Sequence, residues 1–241
     1  HRIICVSPSV RDVAIAASLT APEKNLVLHH GSCNGVDAVE RFNPFRLGKN
    51  TRAAVRKKYG IPESAQVVGF VGRVVKSKGV VELAEAWSSL RREKPGLHLL
   101  LVGPTESGDP VPPAVLESLY RDRRVHFVGE NWDVAPLYTA MDVLVLPSYR
   151  EGFGVVLIEA AAMKQPVVAT RVAGCVDAVD DGVTGTLISL HDSDQLFQAV
   201  CRYLDDPCRA LKHGVAGRAR VLRDFRPEDI WQAIYEQYMR T

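Results

Sequence analysis

Four charged residues that lie near glycines in this chain have the chemistry to bind a phosphorylated sugar. Arg73 and Lys78 each adjoin a glycine, and Glu151 directly precedes a Gly-Phe-Gly run that Glu159 follows. Cations can neutralise the charges of a diphosphate, and carboxylates accept hydrogen bonds from sugar hydroxyls. We therefore predict a site for a sugar carried on a nucleoside diphosphate.

The two cations lie where a buried strand passes into a helix. Residues 66–71 predict the strand, and Gly72 ends it. Apolar residues from Val80 onward recur at helical spacing, so we expect a helix to begin near Gly79. Ligand crevices of parallel sheets open at the carboxyl ends of strands, where a helix N-terminus presents free N–H groups to an anion. The alternative is that both cations are solvated surface charges.

The carboxylates lie at a second junction of the same kind. Residues 142–146 predict an apolar strand, which a Pro-Ser pair breaks. Gly152 and Gly154 then leave backbone N–H groups open at the start of a helix that we expect to run to about Met163. Neither competing phosphate motif is present, because the chain has no P-loop pattern at the first junction and no G-x-G-x-x-G after a strand.

Each glutamate also has an interpretation that needs no ligand. Glu159 has apolar neighbours three and four residues away, and a carboxylate on such a face is costly to bury unless it is hydrogen-bonded. Ribose hydroxyls would satisfy it, as would a buried arginine or a backbone amide. Glu151 precedes a helix whose dipole favours its ionised form, so it either contacts a ligand or is only an N-terminal charge.

Strands and helices alternate from residue 66 onward. This alternation predicts an α/β protein with a doubly wound, Rossmann-like parallel sheet, and we expect two or three further helices after Asp192. The six predicted strands are 67–71, 97–102, 125–128, 142–146, 166–169 and 185–188.

The beginning of the chain is organised differently. A strand at 3–7, a helix at 10–19 and a strand at 25–29 form one βαβ unit, which is too small to close a sheet alone. Its apolar faces would then be exposed. Residues 46–59 are polar and charged, which suits a linker that ends in a short helix.

Several motifs carry a family resemblance when they are taken together. They are Gly-Arg at 72–73 with Lys-Gly at 78–79, the run 142–154, Glu-Ala at 159–160, Gly-Val-Thr-Gly at 182–185, and the segments 34–37 and 42–44. As a set they resemble the donor half of a retaining glycosyltransferase of family four, including its interdomain linker. That family has the GT-B fold of two Rossmann-like domains. The subgroup that the chain resembles assembles bacterial surface or lipid-linked glycans.

The resemblance implies a role for each matched residue. Arg73 and Lys78 would hold the donor diphosphate beside Gly72, Glu151 would contact sugar hydroxyls, and Glu159 would hold the ribose. The catalytic residues would be the two cations and Glu151. The other implied substrate-binding residues provide backbone N–H groups or lie near the base: Gly152, Phe153, Gly154, Val155 and, on the base side, Val128.

One loop departs from the family pattern. The family often has Gly-Gly-x-Pro-Glu after its next strand, whereas this chain reads Ala-Gly-Cys-Val-Asp at 173–177. The resemblance therefore carries no donor contact over to this loop.

The resemblance also divides the chain. Residues 1–45 would be a remnant of the amino-terminal acceptor domain with the linker, and 46–241 the donor-binding domain. A glycan or lipid-linked acceptor would bind through the missing part, so we expect this chain alone to bind a donor, most simply a UDP-sugar, without transferring the sugar. Neither a metal nor another cofactor would be required. We expect a cytoplasmic location, with peripheral attachment of the intact enzyme at the inner face of the membrane left open.

Composition disfavours several other classes. The net charge is +2, and no basic run is interleaved with aromatic residues, so nucleic-acid binding has no support. No apolar stretch approaches the ~20 residues that span a bilayer. The five cysteines lack metal-ligand spacing and predict a reduced protein with buried thiols. The Asp-Ser-Asp run at 192–194 matches a metal-binding DxD pattern, but Gln195 follows Asp192 by three residues, which predicts a capping box.

Two other functions stay open at this stage. A nucleotide-sugar 2-epimerase of the same fold would need acid and base residues from both domains. A non-catalytic nucleotide-sugar-binding chain would act only with a separate partner that supplies the acceptor half.

Overall fold

A parallel sheet of six strands forms the centre of the computed structural model, which describes residues 2–32 and 34–239. Its strand order is β5-β4-β3-β6-β7-β8, and every neighbouring pair is parallel. The strands are Gln66–Val71 (β3), Leu97–Val102 (β4), Val125–Gly129 (β5), Val143–Leu146 (β6), Val167–Thr170 (β7) and Gly185–Ile188 (β8). The order reverses between β3 and β6, so the predicted doubly wound fold class is confirmed, and each predicted strand lies within about one residue of its observed bounds.

Helices with one apolar face cover the sheet. In Val80–Glu93 (α3) the buried residues include Leu83, Trp87 and Leu90, which recur at the spacing of one helix face. The other helices that follow β3 are Pro113–Arg121 (α4), Ala135–Tyr138 (α5), Val155–Ala162 (α6), Cys175–Ala178 (α7), Ser193–Asp205 (α8), Pro207–Asp224 (α9) and Pro227–Met239 (α10). The last three are the helices expected after Asp192.

The amino-terminal unit is a separate two-stranded parallel sheet. Strand Ile3–Cys5 (β1) pairs with Asn25–Val27 (β2), and helix Pro8–Ala16 (α1) joins them. All three elements are shorter than predicted. The first strand ends early because Ser7 is the N-cap of α1, whose side chain accepts a hydrogen bond from the N–H of Val10. Apolar side chains on this unit, such as those of Ile3, Val13 and Leu19, are exposed, as expected.

The linker packs onto the six-stranded sheet. Its predicted short helix is Thr51–Lys58 (α2), and Val36, Ala38 and Phe42 belong to the same hydrophobic core as the sheet. The guanidinium of Arg218 holds the segment 36–42 in place by donating hydrogen bonds to the carbonyl oxygens of Ala38 and Phe42. The division of the chain between residues 45 and 46 stays a prediction.

The cysteines only partly match the expectation of buried thiols. Cys5 and Cys175 are buried, whereas Cys208 is exposed, because it lies on the solvent side of α9. Cys33 lies outside the described residues. Within 2–32 and 34–239, no helix is both long enough and apolar enough to cross a bilayer.

Candidate functional site

The two predicted junctions meet at the carboxyl ends of β3 and β6. The chain leaves β3 at Gly72, makes a turn of 3-10 helix at Lys76–Lys78, and enters α3 through Gly79. Gly79 has a left-handed backbone (φ 72°), and a β-carbon there would lie 1.9 Å from the carbonyl oxygen of Pro147, directly after β6. Glycine is therefore needed for the start of α3 to pack against the end of β6.

Lys78 and Glu151 are brought together across this junction. The ammonium Nζ of Lys78 donates to Oε1 of Glu151 at 2.5 Å, and the two side chains are only 19% and 11% exposed. The cation predicted for the phosphate and the carboxylate predicted for the sugar are thus direct neighbours. A mostly buried ion pair at a ligand crevice holds both charges ready for a polar ligand.

Arg73 lies apart from this pair. Its Nη1 donates to Oε2 of Glu106 at 2.6 Å, and its side chain is 53% exposed. Glu106 follows β4, so Arg73 is held on the β4 side of the crevice, while Lys78 is held on the β6 side. Among residues 2–32 and 34–239, the two cations have different partners, Glu106 and Glu151. Sequence reasoning missed Glu106, because nothing in its own neighbourhood points to Arg73.

Glu159 has a partner that the sequence did not indicate. The hydroxyl of buried Tyr138 donates to Oε2 of Glu159 at 2.8 Å. Burial raises the pKa of Glu159, while this hydrogen bond and the nearby charge of Arg41 lower it. The hydrogen-bond donor to Glu159 is therefore a tyrosine hydroxyl, and the predicted alternatives, a buried arginine or a backbone amide, were wrong. The carboxylate is satisfied on one side by an internal hydroxyl.

The Gly-Phe-Gly run forms the entry to α6. Gly154 is the N-cap with a left-handed backbone (φ 70°), and α6 begins at Val155, as the sequence predicted. The Phe153 ring is buried and packs edge-on against Phe225, with 5.3 Å between ring centroids. Phe153 can therefore reach a ligand only through its backbone, while exposed Gly152 presents backbone without a side chain.

A cluster of polar side chains holds the loop that carries Glu151. The hydroxyl of Tyr149 donates to the carboxylate of Glu82 at 2.9 Å, and a ring nitrogen of His191 lies 2.8 Å from the same carboxylate. The Tyr149 N–H donates to the carbonyl of Ser77 at 2.8 Å. These contacts join the loop after β6 to α3 and to the loop after β8. No short sequence spacing connects these residues, so sequence reasoning missed them.

A cleft of about 190 Å³ opens beside Arg73. Its floor is formed where β3 and β4 end, at Gly72 and Gly103, and its outer wall comes from the segment 130–132 after β5. Val128, predicted for the base side, is half-buried in β5 two residues before this wall. A larger cavity, of about 460 Å³, lies beside the linker around Phe45, and its described lining includes none of the predicted site residues.

The loop that departs from the family pattern contacts the amino-terminal unit. The N–H of Ser9 donates to Oδ2 of Asp177 at 3.2 Å, and its hydroxyl also donates to that oxygen. The N–H of Gly174 donates to the same Ser9 hydroxyl oxygen at 2.8 Å. Asp177 therefore ties this loop to the start of α1.

The Asp-Ser-Asp run is a helix cap. Oδ1 of Asp192 accepts a hydrogen bond from the N–H of Gln195 at 2.7 Å, at the first turn of α8. The capping role of Asp192 is confirmed, whereas the reciprocal half of the box differs, because Gln195 accepts from the N–H of Ser189. That the site requires no metal stays a prediction.

Comparison with known proteins defines the family. Residues 65–206 match the family model described as "Glycosyl transferases group 1", and the chain belongs to this family. It is 30% identical over 236 residues to the capsular polysaccharide biosynthesis glycosyltransferase CapM of Staphylococcus aureus; the match covers 98% of this chain and 60% of the relative.

Solved structures of glycosyltransferases share the fold. The Anabaena protein Alr3699/HepE, in complex with UDP and glucose, superposes with a TM-score of 0.85 at 25% identity, over 99% of this chain and 62% of that one. The C-terminal domain of a glycosyl transferase group 1 family protein (LpcC) from Francisella tularensis superposes with a TM-score of 0.70 at 25% identity, over 80% of this chain and 99% of that domain. The expected C-terminal half of a GT-B fold is confirmed, and the chain spans about three-fifths of the length of CapM.

Proposed function

We propose that this chain binds the donor of a retaining glycosyltransferase, a UDP-sugar. The observation that carries the proposal is the ion pair of Lys78 and Glu151 where the strand order reverses between β3 and β6. Ligands of doubly wound sheets bind in the crevice at this point. A cation beside a carboxylate there offers one group to a diphosphate and the other to sugar hydroxyls. The complex of the similar HepE with UDP and glucose supports this choice of ligand.

Charge on the leaving diphosphate would be stabilised by the two cations. As the anomeric bond breaks, negative charge grows on the diphosphate, and groups that are already oriented towards that charge lower the barrier. Lys78 would act from the β6 side and Arg73 from the β4 side. The free N–H groups at the start of α6, which follow the Gly-Phe-Gly run, would donate hydrogen bonds to the sugar and the phosphate. No metal is needed in this scheme. Glu151 would orient the sugar, and we assign no carboxylate as a nucleophile. In a retaining transfer, the acceptor hydroxyl would then attack at the front face of the sugar as the bond to the diphosphate breaks, and the departing diphosphate would take the proton of that hydroxyl.

Transfer would require the rest of the enzyme. A second domain must position the acceptor and exclude water, and positioning alone supplies several kcal/mol of a barrier. In the intact enzyme, which we place in the cytoplasm, the acceptor would be a glycan or a lipid-linked glycan. The name of CapM, a capsular polysaccharide biosynthesis enzyme, supports this class of acceptor.

Calorimetry with UDP, UDP-glucose and GDP tests the proposal. We expect heats of binding for UDP and UDP-glucose, in the micromolar-to-millimolar range usual for substrates, that do not change when a chelator is added. We expect no transfer of sugar to a glycan acceptor by this chain alone. The absence of any nucleotide binding would refute donor binding, whereas robust transfer would refute the assignment of this chain to the donor half only.

A further inference from the structure

Trp132 is the most exposed of the three tryptophans and lines the cleft beside Arg73. It is 84% exposed, whereas Trp87 is 2% exposed and donates to Asp122 from its indole N–H. Trp231 is 56% exposed on α10. Trp132 differs from Trp231 in that it lines a cleft, so its indole is available to a ligand that enters there.

The loop that carries Trp132 is held in place by its neighbours. Nη2 of Arg41, in the linker, donates to the carbonyl oxygen of Trp132 at 2.6 Å. The side-chain oxygen of Asn131 accepts from the N–H of Asp133 at 2.9 Å, which closes a turn around the tryptophan. Arg41 also lies close enough to Glu159 for its charge to lower the pKa of that carboxyl. The indole is therefore presented on a fixed backbone near the proposed ribose carboxylate.

The ends of β3 and β4 also line the cleft, at Gly72 and Gly103. A β-carbon on Gly103 would lie 1.9 Å from the carbonyl oxygen of Gly72, so glycine keeps the ends of β3 and β4 in direct contact. The volume, about 190 Å³, is below the roughly 300–1,000 Å³ of pockets that enclose a whole drug-sized ligand. The cleft can therefore take one planar part of a nucleotide sugar. Arg73 lines it too, which places the phosphate-binding side next to it.

We propose that Trp132 is the stacking wall of the base site, so that the nucleobase of the donor lies against its indole. This inference rests on the proposed function. An indole that lines a cleft beside two glycines is available to a planar ring, and aromatic side chains stack on any base because every base has a π-face. Arg41 is then a positioning residue that holds this wall through the carbonyl of Trp132.

The test measures UDP and inorganic diphosphate binding by calorimetry, together with indole fluorescence. Trp132→Ala should weaken UDP binding by about tenfold to a hundredfold, the range that the loss of a base–aromatic stack gives. It should leave binding of inorganic diphosphate unchanged, since that probe has no base. Trp132→Phe should keep most of the affinity. UDP should quench the fluorescence of the wild type and not that of Trp132→Phe.

Trp231→Phe is the matched control, because it removes another exposed indole, on α10, and should change neither UDP binding nor the quenching. If Trp132→Ala binds UDP like the wild type, the stacking wall is refuted while donor binding stands. If Trp132→Ala weakens the binding of UDP and of inorganic diphosphate equally, the stacking wall is also refuted, because Trp132 would then support the loop and not contact the base. If the wild type binds no nucleotide, the proposed function and the stacking wall are both refuted.

Discussion

The Nζ of Lys78 lies 2.5 Å from Oε1 of Glu151, although the two residues belong to different strand-to-helix junctions. Their pairing spans the point where the strand order reverses, and both side chains are mostly buried. A ligand that enters there meets both charges at once. The cation and the carboxylate are therefore coupled, and a substitution of one changes the environment of the other.

Lys78→Ala should weaken UDP binding by about 1.5–3 kcal/mol, the contribution of hydrogen bonds to charged groups. Binding of uridine, which has no phosphate, should barely change. Lys76→Ala is the matched control, because exposed Lys76 lies in the same turn and its hydrogen bonds to Asp109 and Gly79 come from its backbone, which the substitution keeps. Calorimetry on the three proteins decides. If Lys78→Ala binds UDP normally, the diphosphate site lies elsewhere.

Glu159→Gln should stabilise the protein at neutral pH. Burial raises the pKa of Glu159, so the folded state favours the protonated form. The stability that this group contributes is therefore present below its ordinary pKa and is lost as pH rises through the raised pKa. A glutamine avoids that loss and can still accept the hydrogen bond from Tyr138. Urea unfolding should show a higher free energy of unfolding for the variant at pH 7 and no difference near pH 4.

The same substitution should weaken UDP and UDP-glucose equally, by about tenfold, because ribose is common to both ligands. Glu151→Gln is the comparison: its amide oxygen can still accept the hydrogen bond from Lys78. It should therefore leave UDP binding nearly unchanged and remove the extra affinity that glucose provides. If both variants lose affinity equally for both ligands, the proposed division of roles is wrong.

The sequence predicted the sheet well because short apolar runs, typical of buried strands, alternate along the whole donor half with segments whose apolar residues recur at helical spacing. It also predicted that Glu151 and Lys78 belong to one site, since the parallel strands of a doubly wound sheet all open at the same edge. It could not predict their direct pairing, nor Tyr138 as the partner of Glu159. Those contacts depend on how far each side chain reaches across the fold, and no local spacing records that.

The errors at the amino-terminal unit have a local cause. The apolar pattern continues past β1, but Ser7, which was predicted as strand, is the N-cap of a helix that begins at Pro8. The cluster of Tyr149, Glu82 and His191 was missed for the opposite reason, because its members come from three separate loops and helices.

Stability should fall as pH drops below about 6.5, in part because of one histidine pair. Nδ1 of His98 lies 2.8 Å from Nε2 of His126, and the two rings stack. Burial lowers the pKa of both rings, and at His98 the nearby charges of His126, Arg124 and Arg56 lower it further. A backbone hydrogen bond at Tyr59 opposes this lowering of the pKa at His126, and Asp122 opposes it at both rings. A lowered pKa means that the stability is present above the ordinary value and is lost as pH falls through the folded value.

His98→Gln tests this pair, because it removes one titrating ring and the charge repulsion within the pair. Chemical unfolding of the wild type should give a clearly lower free energy of unfolding at pH 5.5 than at pH 7.5, and the difference should shrink in the variant. The same difference in both proteins would show that other groups cause the acid sensitivity.

Gly79→Ala should destabilise the protein by more than the strain of a left-handed alanine alone, which costs about 1–2 kcal/mol. The added methyl would also lie 1.9 Å from the carbonyl oxygen of Pro147, so the start of α3 would have to move away from the end of β6. Gly60→Ala is the matched control: its backbone is left-handed too (φ 68°), and no atom lies within 4 Å of the added carbon. Its cost should therefore be the strain alone.

Because Lys78 precedes Gly79, the movement should also separate Lys78 from Glu151 and weaken UDP binding, which Gly60→Ala should leave unchanged. Urea unfolding and calorimetry on both variants measure the two effects, and equal destabilisation with intact UDP binding would show that this contact does not position the site.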